Sequence, residues 1–275
     1  MPELPEVQTV VNELGDRLVG RRFAPGAEIL WERTIGYPDA GGFAERIAEH
    51  TVQGVRRRAK YILIDLDSAA LLVVHLRMTG NLHFAAPGEP AHRHLRARFP
   101  LADGEELRFA DMRKFGRIYL GREEDLATVL PLARLGPEPL ADGFTPELLR
   151  AALARRRGPI KSVLLDQTVV AGLGNIYVDE ALFRAGIDPR RPAESLADGE
   201  LAALHAGIQE TLRQAIGNGG TSFRDYLSTW GRKGANQDAL LVFRRQGESC
   251  PRCGQPLLRI VVGGRGTHFC RACQR

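Results

Sequence analysis

A chain of 275 residues, 44% hydrophobic and 26% charged, has the length and composition of a globular protein with one large domain or two ordinary ones, and excludes a disordered or fibrous chain. It carries a formal net charge of +5, and it shows neither an apolar run of about eighteen residues nor a basic-then-apolar leader, so the expectation is a cytoplasmic protein with no membrane partner. Nine Lys/Arg against two acids fall between Gly231 and Arg275, so the positive charge is concentrated at one end, as phosphate binding requires.

The chain opens MPELPEV. Val7, Val10, Val11, Leu14 and Leu18 follow helical spacing, and Pro2 or Pro5 suits a helix start. If Met1 is removed, Pro2 also presents a secondary amine, able to attack a carbonyl-like carbon and form an iminium. Residues 61–66 and 71–76 are apolar runs around a short polar link and read as paired strands. Alternation over 95–99 and two short runs between 106 and 120 add further strands, so residues 20–121 read as a β-sandwich or barrel carrying the first helix. The predicted N-terminal domain is 1–121, with a linker over 122–144 marked by Gly136-Pro137-Glu138-Pro139.

Beyond the linker the pattern is helical. Thr145-Pro146-Glu147 is an N-cap followed by proline, leading into a helix to about Arg157. Further helices are expected from Ile160 to Asp166, from Asn175 to about Ala185 and from Asp198 to Ile216, the last ended by Gly217-Asn218-Gly219-Gly220. The helical domain is placed at 145–239, including a loop at 221–239, and the last domain at 240–275. That last segment holds all four cysteines as Cys250-x-x-Cys253 and Cys270-x-x-Cys273, with sixteen residues between the pairs. This spacing predicts one structural, tetrahedral zinc site whose intervening segment is a β-hairpin turning at residues 263–266. Disulfides are disfavoured in a reducing compartment.

Seven ordered segments together resemble the formamidopyrimidine-DNA glycosylase family of base-excision repair enzymes: PELPEV, RRAKY (57–61), HLRMTG (75–80), DMRKFG (111–116), LGPEPL (135–140), GLGNIYVDE (172–180) and the four-cysteine finger ending in CQR. The resemblance spans essentially the whole chain. It implies an α+β, two-lobed fold: an N-terminal helix plus β-sandwich, a helical domain with a helix–two-turn–helix element, and a zinc-finger β-hairpin. It also implies a monomer acting on double-stranded DNA that contains oxidised bases or abasic sites. The implied activity is a bifunctional glycosylase and abasic-site lyase that removes oxidised purines such as 8-oxoguanine and cleaves the strand by β,δ-elimination.

Residue by residue, the resemblance makes Pro2 the nucleophile, Glu3 a proton donor, Glu6 a supporting acid and Lys60 a catalytic and phosphate-contacting cation. Met78, Arg113 and Phe115 match the trio that fills the void left by an extruded base, with Arg113 reading the orphaned cytosine. His92, Lys161, Asn175 and Arg265 match DNA contacts, and residues 221–239 a loop that caps the lesion, with Thr221, Ser222 and Tyr226 on its pattern. Two departures from the pattern are Gln8, where the family usually has Glu, and Asn236, where an aromatic is usual and whose polarity suggests a looser lid. Two other readings stay open: an endonuclease VIII-like glycosylase for oxidised pyrimidines, disfavoured by Leu4, Arg113 and Phe115, and a non-catalytic binder of damaged DNA, disfavoured by the intact Pro2, Glu3 and Lys60.

Overall fold

The computed structural model describes residues 2–154, 156–223 and 226–275. Its helices and strands form two compact units by internal contacts: residues up to Ala133 with Gly219–Ala235, and Arg134–Asn218 with Asn236–Arg275. Met1 lies outside the described residues.

In the first unit, helix α1 (Leu4–Leu18) begins at Glu3 as N-cap, with Pro5 in its first turn. The predicted apolar stripe is the buried face: Val7, Val10, Val11, Leu14 and Leu18 are all at most 5% exposed. The strands are β1 (Glu28–Ile29), β2 (Ile35–Tyr37), β3 (Val52–Arg58), β4 (Tyr61–Leu66), β5 (Ala70–His75), β6 (Gly80–Ala85), β7 (Leu95–Pro100), β8 (Glu106–Asp111) and β9 (Arg117–Arg122). They build a five-stranded sheet, β2-β9-β5-β4-β3, and a four-stranded sheet, β1-β7-β8-β6, antiparallel except for the β2–β9 pair. Period-two alternation sends Ile62, Ile64, Leu72 and Val74 from one sheet and Leu82, Ala97, Phe99, Leu107 and Phe109 from the other into one core, which the stripe of α1 joins. At roughly 25 cal/mol per Å2 of apolar area, each of these side chains larger than alanine contributes about 1.5–3 kcal/mol on burial.

Two helices of this unit escape the sequence reading. Helix α2 (Ala40–Ile47) has two glycines in its first turn that hide its periodicity, yet Asp39 caps it by accepting from Gly42 N at 3.0 Å, and Phe43 and Ile47 are fully buried. Helix α3 (Glu123–Val129) lies inside the expected linker of 122–144. Three acids in its first turn favour a helix N-terminus, and Leu126 is buried, so this stretch is part of the first unit and not a connector.

The second unit holds α4 (Pro146–Leu153), α5 (Ile160–Leu164), α6 (Asn175–Ala185) and α7 (Asp198–Gly217), followed by the hairpin β10 (Leu258–Val262) and β11 (Arg265–Phe269). Thr145 caps α4 as expected, accepting from Leu148 N at 3.2 Å, but the helix ends at Leu153, short of Arg157. Gly174 is the N-cap of α6, and Asn175 is its first helical residue. Phe183 of α6 packs with Val242, Leu257, Cys250 and Cys270, joining the cysteine site to the helical core. Among the described residues no helix is long and apolar enough to cross a membrane.

The segment 219–235 groups with the first unit, whereas the sequence reading placed it in the helical domain. Its hydrogen bonds explain the difference. Thr221 N donates to Glu6 Oε1 at 2.7 Å, Tyr226 Oη to Glu6 O at 3.2 Å, and both Thr229 N and Oγ1 to Glu13 Oε2 at 2.7 Å. Asn81 Nδ2 donates to Leu227 O at 2.8 Å, and the Arg17 guanidinium lies 3.9 Å from the Phe84 ring centre and 4.3 Å from that of Trp230. These are ties to α1 and β6.

Candidate active site

The start of α1 gathers the N-terminal residues. Pro2 is buried, and Glu3 and Glu6 are 3% and 1% exposed. Glu6 Oε2 accepts from Glu3 N at 2.7 Å, while Oε1 accepts from Thr221 N. One buried carboxylate therefore fixes both the residue after Pro2 and the start of the 219–235 segment. Gly220 makes this approach possible: it sits at φ +80°, and a Cβ there would lie 3.0 Å from Glu6 Cγ. Burial, and the Glu6 and Glu13 carboxylates beside it, hold the Tyr226 phenol well above its usual range, so it stays a neutral donor. Gln8 takes the place of a charge without loss of a bond, because its amide oxygen accepts from Arg57 Nε at 2.9 Å.

Lys60 is 7% exposed and lies with Ala59 in the two-residue turn between β3 and β4, where Arg58 pairs with Tyr61. Ala59 adopts φ +52°, a conformation that glycine takes more readily, so the turn that presents Lys60 is strained. His75 stands near this cation. Burial first, then the Arg77 and Lys60 charges, depress its pKa from 6.5 to about 3. It is therefore a neutral imidazole whose Nδ1 accepts from Arg77 N at 3.0 Å, and its ring meets that of Tyr61 edge-on at 4.5 Å.

Two loops of the same unit carry the outward-pointing trio. Met78, on the turn between β5 and β6, is 38% exposed; Phe115, between β8 and β9, is 48% exposed; Arg113 is exposed, with its guanidinium carbon 5.0 Å from the Phe115 ring centre. Large apolar groups held out to solvent from rigid strand ends mark a binding surface. His92 is exposed, its ring tilted 55° to that of His94 with centres 5.3 Å apart; both line a cavity of about 550 Å3 with Arg93, Met112 and Trp230.

In the second unit, Val262 pairs with Arg265, and the intervening Gly263 and Gly264 have φ of +56° and +74°. Both central positions of this turn need left-handed backbone, which glycine alone supplies without strain. Arg265 is exposed at the start of β11. The residue after it is restrained: Gly266 O accepts from Lys161 Nζ at 2.9 Å and from Asn175 Nδ2 at 3.1 Å. Lys161 itself is 0% exposed and forms an ion pair with Asp179 at 2.6 Å, and Asp179 Oδ2 accepts from His268 N at 2.8 Å. The sequence reading gave Lys161 a direct contact with a DNA phosphate or lesion; the structure places its ammonium in the interior. A fully buried, paired ammonium holds the hairpin, and through it Arg265. The half-buried Asn175 shares that task.

Asn236 also differs from expectation. It is 4% exposed and accepts from Asn218 Nδ2 at 3.2 Å, so it is a buried, bonded residue of the second unit and not part of a loose polar lid. Residues that the sequence reading missed are Asp179, Glu13, Arg17, Asn81 and Asp111. Asp111 had a visible signal: an acid two residues before Arg113, where its carboxylate closes an Asx-type turn on Arg113 N.

The four cysteine sulfurs all lie within 4.8 Å of one another. Cys250 and Cys273 sulfurs are 3.8 Å apart and those of Cys253 and Cys270 are 3.5 Å apart. A tetrahedron of thiolates about 2.3 Å from a zinc ion has edges of about 3.8 Å, whereas a disulfide needs about 2.05 Å. The donor set fits one structural zinc ion with four protein ligands and no open position.

Comparison with known proteins gives three consecutive matches. Residues 1–118 match the formamidopyrimidine-DNA glycosylase N-terminal domain, 135–226 the H2TH domain of the same enzymes, and 247–275 a zinc finger found in FPG and IleRS. Among curated relatives, the formamidopyrimidine-DNA glycosylase of Geobacillus kaustophilus is 46% identical over 276 residues, covering 100% of both chains. That of Moorella thermoacetica is 50% identical over 260 residues, 94% of each. Among solved structures, the Lactococcus lactis Fpg in complex with abasic-site DNA superposes with a TM-score of 0.92 at 37% identity over 99% of both chains. The wild-type Lactococcus enzyme bound to DNA containing N7-benzyl-Fapy-dG gives 0.91 at 38% identity over 100% of both.

Proposed function

The chain belongs to the formamidopyrimidine-DNA glycosylase family of DNA repair enzymes, and from that premise we propose that it excises oxidised purines, 8-oxoguanine and formamidopyrimidines, from duplex DNA and then cleaves the strand at the resulting abasic site. The observation that carries this reading is the N-terminus: Pro2 is followed by a buried Glu3 whose amide is bonded to Glu6, with no other proline ahead of α1.

The target base lies in the stack and must be extruded at a cost of a few kcal/mol. Met78 and Phe115 fill the vacated space, and Arg113 bonds the orphaned cytosine. Removal of Met1 leaves Pro2 with an α-amine whose pKa is about 8, neutral in useful amount near physiological pH. Its lone pair attacks C1′ as the base departs, and Glu3 protonates the sugar ring oxygen as the ring opens. A secondary amine gives a cationic iminium. This electron sink acidifies the C2′ hydrogens, so the 3′ phosphate leaves by β-elimination and the 5′ phosphate by δ-elimination. Hydrolysis then frees Pro2. Lys60 holds the adjacent phosphate and lowers the amine's proton affinity by like-charge repulsion. His92 and Arg265 hold backbone phosphates, and Lys161 and Asn175 keep the hairpin that presents Arg265 in register.

Borohydride trapping tests this. The protein is incubated with duplexes containing 8-oxoguanine opposite cytosine, a formamidopyrimidine, thymine glycol or an abasic site, and the crosslinked peptide is sequenced. A crosslink at Pro2, strongest with the purine lesions, is the expected result. A preference for thymine glycol would move the chain to the oxidised-pyrimidine branch. Binding with no crosslink, even at the abasic site, would make it a non-catalytic reader of damage.

A further inference from the structure

Asp111 is 1% exposed and is the only acid in the Asp111–Gly116 loop. Its Oδ1 accepts from the Thr79 hydroxyl and from Arg113 N, the latter at 3.1 Å, and its Oδ2 accepts from Gly116 N at 2.7 Å. Arg113 N also lies 3.0 Å from Thr79 Oγ1, so the two loops share a donor as well as an acceptor. Thr79 follows Met78, and Gly116 follows Phe115. A single carboxylate is thus bonded to Arg113 itself and to the immediate chain neighbours of Met78 and Phe115.

That arrangement matters because the trio points outward. An exposed side chain has little packing of its own to set its direction, so the backbone beneath it must do so. Neither loop has room for a side chain at its glycine. A Cβ on Gly80 would stand 2.4 Å from Leu76 O, and one on Gly116 would stand 2.5 Å from the Phe109 ring and 3.2 Å from Asp111 Oδ2. Lys114 takes the left-handed φ of +61°, and its ammonium sits 3.9 Å from the centre of the Trp31 ring, which steadies the loop from the other side.

We propose that Asp111 is a positioning residue for base extrusion: its carboxylate sets Met78, Arg113 and Phe115 as one rigid wedge and so governs which base opposite the lesion is accepted. This rests on the reading of the trio given above. The two oxygens need three donors, and only a carboxylate accepts all of them. An asparagine would turn an N–H toward either Gly116 N or the Thr79–Arg113 pair.

The test compares Asp111→Asn, Thr79→Val and Thr79→Ser with Arg113→Ala and Phe115→Ala. Each is measured for single-turnover excision of 8-oxoguanine opposite cytosine and opposite adenine, and for borohydride trapping on a single-stranded abasic oligonucleotide, which has no stack to invade. Asp111→Asn is expected to slow duplex excision by about tenfold or more, the worth of one hydrogen bond to a charged group, and to erode the preference for cytosine as Arg113→Ala does. Thr79→Val shows the same pattern more weakly, Thr79→Ser restores wild-type behaviour, and single-strand trapping by the Asp111 and Thr79 variants stays near wild type. If Arg113→Ala loses the preference while Asp111→Asn and Thr79→Val keep it, the trio stands and the positioning role is overturned. If Arg113→Ala and Phe115→Ala behave as wild type, the wedge reading falls and the inference with it. Equal loss of single-strand trapping in Asp111→Asn and Thr79→Val would show general collapse and also overturn it.

Discussion

Asp111 and Asp179 belong to different units, and each is a buried aspartate one short link from an exposed arginine: Arg113 in one case, Arg265 in the other. Their means differ. The Asp111 carboxylate accepts from neutral donors, a hydroxyl and two backbone amides, whereas Asp179 faces the fully buried ammonium of Lys161. The scaffold explains the contrast. The Asp111 loop joins β8 to β9, strands already fixed in two packed sheets, so hydrogen bonds need only set its last few ångströms. The finger is a two-stranded hairpin, a structure marginal by itself, and it is restrained at its tip by an ion pair and at its base by metal.

Zinc removal should break that comparison most severely. Structural zinc in small fingers contributes on the order of 10 kcal/mol to folding, so chelation is expected to release the amides of Thr267 and His268 to hydrogen exchange while those of β8 and β9 stay protected. Equal protection with and without metal would refute a structural site. Next in size is Lys161→Met, which strands the Asp179 carboxylate in the interior. Denaturant unfolding should show a loss of about 3–5 kcal/mol, together with weaker DNA binding. A loss below about 1 kcal/mol would mean the pair is not buried in solution.

His75 sharpens the first unit's side of the contrast, because its neutrality there is imposed by burial and by the Arg77 and Lys60 charges. Its folded pKa, about 3, lies below the unfolded value of 6.5. The unfolded chain therefore takes up a proton first as pH falls. His75 stability is full above about 6.5 and is lost at roughly 1.4 kcal/mol per pH unit as pH drops below that value. The slope of stability against pH between 6 and 4 should decrease by one proton's worth in His75→Gln; an unchanged slope would refute the shift. The smallest effect on stability is expected for the exposed Arg265→Ala, within about 0.5 kcal/mol. Yet its DNA affinity should fall for all sequences, and the salt slope should shrink by about one phosphate contact. A constant slope would remove Arg265 from the backbone contacts.

Much of this was legible in the residues themselves. The stripe on α1, the strand runs, the Thr145 cap, the Gly-Gly turn before Arg265 and the CxxC pairs each follow from local spacing and local dihedral preference, which a linear chain displays directly. The resemblance supplied the roles of Pro2, Glu3, Lys60 and the trio. Only the tertiary structure decided what depends on contacts between residues far apart in the chain. It placed Lys161 in the interior as the partner of Asp179, made Asn236 a bonded interior residue, and assigned the 219–235 segment to the first unit through Glu6 and Glu13. It also found in Asp111 one carboxylate joining two loops that are 32 residues apart at Thr79. Local sequence sets which groups can donate, accept or turn; burial and long-range pairing decide which of them meet, and no periodicity along the chain encodes that.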